Sequence, residues 1–162
     1  MKQILVIGAG RSAVTLIDYL LKESHLNLWK VTIADYNLNL AENLASNNSN
    51  ARPIFFNVND EQQRENEIRN SDIVVSMLPS NMHYLVAKDC LKFKKNLVTA
   101  SYVSDQIKAY DELARKNNII FLNEIGLDPG IDHMSAMKVI DELRLKKAKL
   151  LSFKSYCGGL IH

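Results

Sequence analysis

Apolar residues along this chain arrive in two alternating rhythms. Short continuous runs occur at Ile4-Leu5-Val6-Ile7, 29–34, 54–56, 72–78, 96–100 and 119–122. Runs of this length, closed by turn residues, read as strands covered on both faces. Between them lie stretches with apolar positions three and four apart, which predict helices over 12–22, 37–46, 60–70, 81–93 and 106–117. Val14, Ile17, Leu20 and Leu21 make the stripe of the first; Leu38, Leu40, Ala41, Leu44 and Ala45 make that of the second. The 60–70 segment is polar and reads as a surface helix. Six strands alternating with helices predict an α/β fold, a Rossmann-type doubly wound parallel sheet.

The first strand runs directly into Gly8-Ala9-Gly10-Arg11-Ser12-Ala13, a Gly-x-Gly-x-x-Ala pattern between strand and helix. In that context Gly8 serves the tight turn, Gly10 lets a pyrophosphate approach the backbone, and Ala13 lets helix and strand pack closely. The first-turn residues Arg11 and Ser12 would face the phosphates with the helix dipole behind them. The bland alternative is a tight turn that binds nothing. The second strand ends at Asp35, where a carboxylate accepts hydrogen bonds from the adenosine ribose and repels a 2′-phosphate. Asp35 therefore predicts NAD rather than NADP as cofactor, the alternative being a turn aspartate that caps the next helix. Asn57 and Val58, after the third strand, fall on the adenine side. Leu78, Thr99 and Ala100, at the ends of the fourth and fifth strands, fall on the cofactor side, and Ser101 and Tyr102 follow toward the nicotinamide and substrate. Ligands of open α/β sheets bind beyond these carboxyl ends. Tyr102 could equally be ordinary packing. His83, in the first turn of the fourth helix, reads as a surface or capping residue.

Composition narrows the partners. The 162 residues carry 20 basic and 18 acidic side chains, a net charge of +2, which gives no reason to expect nucleic acid or an anionic membrane. No segment has the length and apolarity of a membrane span. Cys90 and Cys157 have no metal-ligand spacing, and no metal is expected. The chain enters a strand almost at once, leaving no room for a signal peptide, so a cytoplasmic protein is expected.

After residue 122 the character changes. Asn123-Glu124-Ile125-Gly126-Leu127-Asp128-Pro129-Gly130-Ile131-Asp132-His133 crowds carboxylates and an imidazole beside the last strand. Asp128-Pro129-Gly130 is a turn, and Asp132 is a possible N-cap for a helix over 134–143. A further strand is predicted over 150–157, followed by Gly158-Gly159. Residues 1–125 are thus expected to form a dinucleotide-binding domain and 126–162 the beginning of a second domain.

The 123–133 motif, with Ser155-Tyr156-Cys157-Gly158-Gly159-Leu160, resembles saccharopine dehydrogenases of the glutamate-forming type. Ser76-Met77-Leu78-Pro79 with His83, and Val98-Thr99-Ala100-Ser101-Tyr102, support the resemblance. It implies conversion of saccharopine, NAD(P)⁺ and water to glutamate, 2-aminoadipate 6-semialdehyde and NAD(P)H in lysine metabolism. It also implies that Ser101, Tyr102 and Asp128 touch this amino-acid substrate, and that Gly126, Leu127 and Asp128 line the nicotinamide end. Asp128 is the first candidate for the proton transfers, with Cys157 and His133 behind it. His133 could instead hold the helix start, and Cys157 could be a small buried hydrophobe. Family subunits are longer and homodimeric, and have Pro-Ala-Pro where this chain has Ile161-His162. The chain therefore resembles their N-terminal part, with a complementing C-terminal half as the expected partner. Two other readings remain open: a dinucleotide-binding module without its own chemistry, and a related reductase such as one for carboxynorspermidine.

Overall fold

The computed structural model describes residues 1–156. Six strands form one parallel sheet: β1 (Lys2–Ile7), β2 (Trp29–Asp35), β3 (Ala51–Phe55), β4 (Ile73–Ser76), β5 (Asn96–Thr99) and β6 (Phe121–Leu122), in the order β3-β2-β1-β4-β5-β6. The order reverses between β1 and β4, which opens a crevice at their carboxyl ends. The helices are α1 (Val14–Asn27), α2 (Leu38–Ala45), α3 (Glu61–Arg69), α4 (His83–Phe93), α5 (Asp105–Lys108), α6 (Asp111–Lys116) and α7 (Ile131–Leu145), with single 3₁₀ turns at Arg11–Ala13 and Ser80–Met82.

The alternation of side chains along each strand divides the core into two layers. Ile4 and Val6 of β1 join Ile17, Val31, Ile33, Ala41 and Val75 on the α1/α2 side. Leu5 and Ile7 join Ile68, Val74, Val86, Cys90 and Leu97 on the α3/α4 side. A strand buried on both faces must be apolar at consecutive positions, which is why β1 reads as an unbroken run.

Several boundaries depart from the sequence expectation. The third strand begins at Ala51, not residue 54, because as the sheet edge it accommodates Arg52 and Pro53; proline loses no needed donor on the outer side of an edge strand. The stripe of α1 is Ile17, Leu20, Leu21 and Ser24, while Val14 is exposed. The helix expected over 106–117 divides into α5 and α6 where the Tyr110 N–H turns back to the Ile107 carbonyl (3.0 Å). Helix α3 is not a simple surface helix: Arg64 and Ile68 are buried. Arg64 Nε donates to Asp89 of α4, a pair 3% and 0% exposed, and its Nη1 donates to the Val58 carbonyl. Residues 150–156 are exposed and form no strand, since no other described segment supplies a ladder for them. Cys157, the last residue of that expected strand, lies outside the described residues, as do residues 158–162. Among the described residues, no helix is long and apolar enough to cross a membrane.

Candidate functional site

The carboxyl ends of β1, β2 and β4 enclose a cleft of about 500 Å³ lined in part by Gly8, Asp35, Tyr36, Asn57, Val58 and Leu78. Gly8 has φ +107°, and a Cβ there would stand 2.9 Å from the Met77 carbonyl oxygen, so only glycine turns the chain this close to β4. Gly10 differs: its backbone is extended, and a Cβ would meet nothing within 4 Å. Its surroundings within the protein make no demand for glycine, as suits a backbone left bare for a ligand. Ala13 is fully buried against β1 and α1. Arg11 and Ser12 are exposed on the turn between them.

Asp35 is drawn into the same loop. One carboxylate oxygen accepts the Ala9 N–H at 2.6 Å, and the other accepts the Asn37 N–H at 2.8 Å. The carboxylate thus ties the glycine loop to the end of β2 while staying half-buried at the cleft. The helix-capping alternative does not apply to Asp35, because the Asn37 side chain caps α2 by accepting the Asn39 N–H. The next segment is held from below: Gln63 Oε1 accepts the Asn57 N–H at 2.9 Å, and Arg64 holds the Val58 carbonyl.

A second group of side chains gathers at the ends of β4 and β5. His83 is 2% exposed, contrary to its reading as a surface or capping residue. Its Nδ1 lies 2.8 Å from Ser76 Oγ and its Nε2 lies 2.9 Å from Ser101 Oγ. Burial holds the imidazole pKa below its ordinary value. The only sequence signal for this bridge was topological: Ser76 and Ser101 close adjacent parallel strands, and α4 starts directly above the first of them. Thr99 is buried and donates to Asn123 Oδ1 at 3.2 Å.

The 123–133 segment folds back over these strand ends. Glu124 N–H donates to the Ser101 carbonyl (3.1 Å) and Ile125 N–H to the Thr99 carbonyl (3.2 Å). Gly126 packs against Ala100 and pairs with Gly130, closing the loop that carries Leu127 and Asp128. Gly130 has φ +145°, and a Cβ on it would fall 2.2 Å from the Gly126 oxygen, so no other residue closes the loop here. The exposed Tyr102 hydroxyl donates to Asp128 Oδ1 at 2.7 Å, joining residues 26 apart in sequence. Asp132 Oδ1 accepts the Gly130 N–H at 3.0 Å and contacts His133 Nδ1 at 2.7 Å, which places His133 at the exposed start of α7. Cys157, the remaining candidate, lies outside the described residues.

Comparison with known proteins is consistent along the whole chain. The family model for the saccharopine dehydrogenase NADP binding domain matches residues 4–122, and that for the saccharopine dehydrogenase C-terminal domain matches residues 126–162. A saccharopine dehydrogenase (NADP(+), L-glutamate-forming) of Pyricularia oryzae is 38% identical over 98% of this chain and 34% of its own length. The alpha-aminoadipic semialdehyde synthase of Arabidopsis thaliana is 36% identical over 97% of this chain and 16% of its own length. The apo saccharopine dehydrogenase (L-Glu forming) of Saccharomyces cerevisiae superposes with a TM-score of 0.80 at 34% identity, over 90% of this chain and 32% of that one. The chain therefore spans about a third of the length of the fungal relatives it matches. A nicotinamide-dinucleotide fold, a glycine fingerprint and a match at this level along nearly the whole chain lead to one conclusion: the chain belongs to the saccharopine dehydrogenase family.

Proposed function

We propose that this chain supplies the dinucleotide site and the nicotinamide-side half of the substrate site of a glutamate-forming saccharopine dehydrogenase. The observation that carries this reading is the Tyr102–Asp128 hydrogen bond, which sets a phenol and a carboxylate beyond the sheet edge that bears the glycine fingerprint. In the proposed reaction, saccharopine loses a hydride from the carbon beside its secondary amine; water adds to the resulting imine, and the carbon–nitrogen bond breaks to give glutamate and 2-aminoadipate 6-semialdehyde. The nicotinamide accepts that hydride when bound. The chain's own residues bind, orient and move protons. Ser101 and Tyr102 hold the substrate, and Asp128 takes the amine proton that must leave before the lone pair can form the imine. His133, committed to Asp132 and exposed, is a weaker candidate for that step; Cys157 remains a candidate in the segment that would complete the site.

On the cofactor side, the N–H groups of Gly10, Arg11 and Ser12 meet the pyrophosphate. Asn57, Val58 and Leu78 flank the adenine, while Thr99, Ala100, Gly126 and Leu127 flank the nicotinamide. The relatives are named for NADP(+), yet Asp35 supports NAD(H) here. Each of its oxygens keeps a lone pair for a ribose hydroxyl beyond the backbone N–H it already accepts, and among the described residues no lysine or arginine lines the adenine-side cleft to receive a 2′-phosphate. We assign residues 1–125 to the dinucleotide domain and 126–162 to the beginning of the substrate domain, with a C-terminal half or a second subunit completing the site. We propose the cytoplasm as its compartment, in keeping with a free, buried Cys90.

The test is calorimetric titration of the chain with NAD⁺/NADH and NADP⁺/NADPH, wild type beside Asp35→Ala. The expected result is a preference for NAD(H) of at least about tenfold, one repelled phosphate's worth, that shrinks in the variant. Equal or tighter NADP(H) binding by the wild type would refute the role given to Asp35.

A further inference from the structure

The Ser76–His83–Ser101 bridge reaches the proposed substrate side from inside the protein, and its hydrogen-bond polarity can be derived. A neutral imidazole has one N–H donor and one acceptor nitrogen, so the chain of three groups can run in only two directions. Ser76 is fully buried, and among the described residues its hydroxyl has a single side-chain partner, His83 Nδ1. A buried hydroxyl proton left unspent costs more than an unused lone pair on the same oxygen. Ser76 Oγ–H therefore donates to Nδ1, the ring proton sits on Nε2, and Nε2–H donates to Ser101 Oγ. Burial keeps the ring neutral at pH 7, so this arrangement persists there.

Ser101 is then left with its own proton. The residue is half-buried just beyond the end of β5, and its backbone carbonyl is held by the Glu124 N–H. We infer that His83, through Ser76, is a positioning residue that leaves the Ser101 hydroxyl proton unspent within the protein, so that Ser101 donates it to an acceptor oxygen of the ligand, which we assign as a substrate carboxylate. The inference rests on the reading of the site as one for saccharopine. It adds a direction: with its proton not spent on His83, Ser101 donates to an acceptor oxygen, which the reverse polarity of the bridge would forbid. The carboxamide oxygen of the nicotinamide offers the same acceptor chemistry, and the experiment separates the two.

Nitrogen-15 NMR of the imidazoles in the full 162-residue chain tests the polarity without any turnover. His83 is expected as the Nε2–H form in the wild type, and Ser76→Ala is expected to release that preference. An Nδ1–H form in the wild type overturns the inference, whatever the chain binds. Titration with NADH alone and then with saccharopine identifies the acceptor. The expected result is that the His83 Nε2 signal moves only on saccharopine addition. A signal that moves fully with NADH alone overturns the carboxylate assignment. Affinities give a second measure. Ser101→Ala and His83→Phe are each expected to weaken saccharopine binding about tenfold, as for one hydrogen bond to a charged group, with NADH affinity changed less than about twofold. Combined, they are expected to cost no more than either alone, because both remove one interaction. Additive losses would overturn the coupling. Ser101→Ala, which removes a half-exposed hydroxyl, keeps the test intact should the His83 variant fold poorly. Failure of saccharopine to bind a chain that does show Nε2–H would refute the reading that this chain by itself holds half of the substrate site, while leaving the polarity standing.

Discussion

The two layers flanking the sheet are built by different means. The α1/α2 layer is mainly aliphatic: Ile4, Val6, Ile17, Val31, Ile33, Ala41 and Val75 meet there, and its buried polar pair, Ser24 and Asn50, is uncharged. The α3/α4 layer has a comparable apolar cluster but also buries Arg64, Asp89, Ser76 and His83. Both layers exclude water from the sheet. Only the second converts burial into fixed directions at the carboxyl edge of the sheet, since Arg64 holds the Val58 carbonyl, which lines the cleft there, and His83 holds Ser101. Apolar contacts have no direction, whereas hydrogen bonds in a dry interior have nearly one geometry each. Placing polar groups in the layer beside the cleft costs stability and yields position.

The comparison is broken most severely at the Arg64–Asp89 pair. Arg64→Met alone leaves the Asp89 carboxylate buried without its partner and is expected to destabilise the chain by about 3–5 kcal/mol in urea unfolding. Arg64→Met with Asp89→Leu should recover most of that loss, because the remaining groups match in polarity. Dinucleotide affinity should stay reduced in the double variant, as the Val58 carbonyl is no longer held. Ile17→Ala in the opposite layer is expected to cost about 3 kcal/mol from lost burial and cavity, with affinity unchanged in whatever fraction remains folded. If the double variant bound dinucleotide as well as wild type, the polar layer would be no more than a core.

The two fingerprint glycines sharpen the contrast on a smaller scale. Gly8→Ala is expected to destabilise by about 1–3 kcal/mol, from its positive φ and the Met77 carbonyl in its way. Gly10→Ala should leave the unfolding midpoint unchanged or slightly raised, since its φ suits alanine and nothing stands within 4 Å. Yet it should weaken NADH binding by about tenfold or more if the bare backbone is where phosphate sits. Thermal unfolding and titration on the same samples separate the two effects.

The smallest effect concerns pH. Burial lowers the His83 pKa in the folded chain below the ordinary 6.5, so below pH 6.5 the unfolded chain binds the more protons. Stability therefore rises with pH across that window. The contribution is complete above pH 6.5 and is lost as the pH falls toward the folded-state value, with a slope of at most about 1.4 kcal/mol per pH unit for one proton. Denaturant midpoints at several pH values should show this slope in the wild type and a flatter one in His83→Asn. Equal slopes would mean that His83 is not desolvated as described.

What could be read from the sequence was whatever depends on neighbours in the chain. The strand runs, the glycine turn and the acidic end of β2 are local, because a strand buried on two faces needs consecutive apolar residues and a tight turn needs glycine at a set offset. Where local pattern was the whole basis, it also misled. A polar 60–70 helix hid a buried Arg64, since its partner Asp89 lies 25 residues away. The pattern over 150–157 suggested a strand, but its described part, 150–156, finds no ladder, and a strand exists only where another supplies one. His83 was legible as a helix-start residue and no more.

The sequence by itself therefore determined the six-strand parallel architecture and the glycine turn at the end of β1, because periodicity and turn chemistry act over a few residues. Only the tertiary structure decided that Asp35 clasps the glycine loop, that Tyr102 meets Asp128, and that a buried imidazole joins Ser76 to Ser101. These bonds link residues on different elements, and which side chains meet at the sheet edge depends on strand order and register.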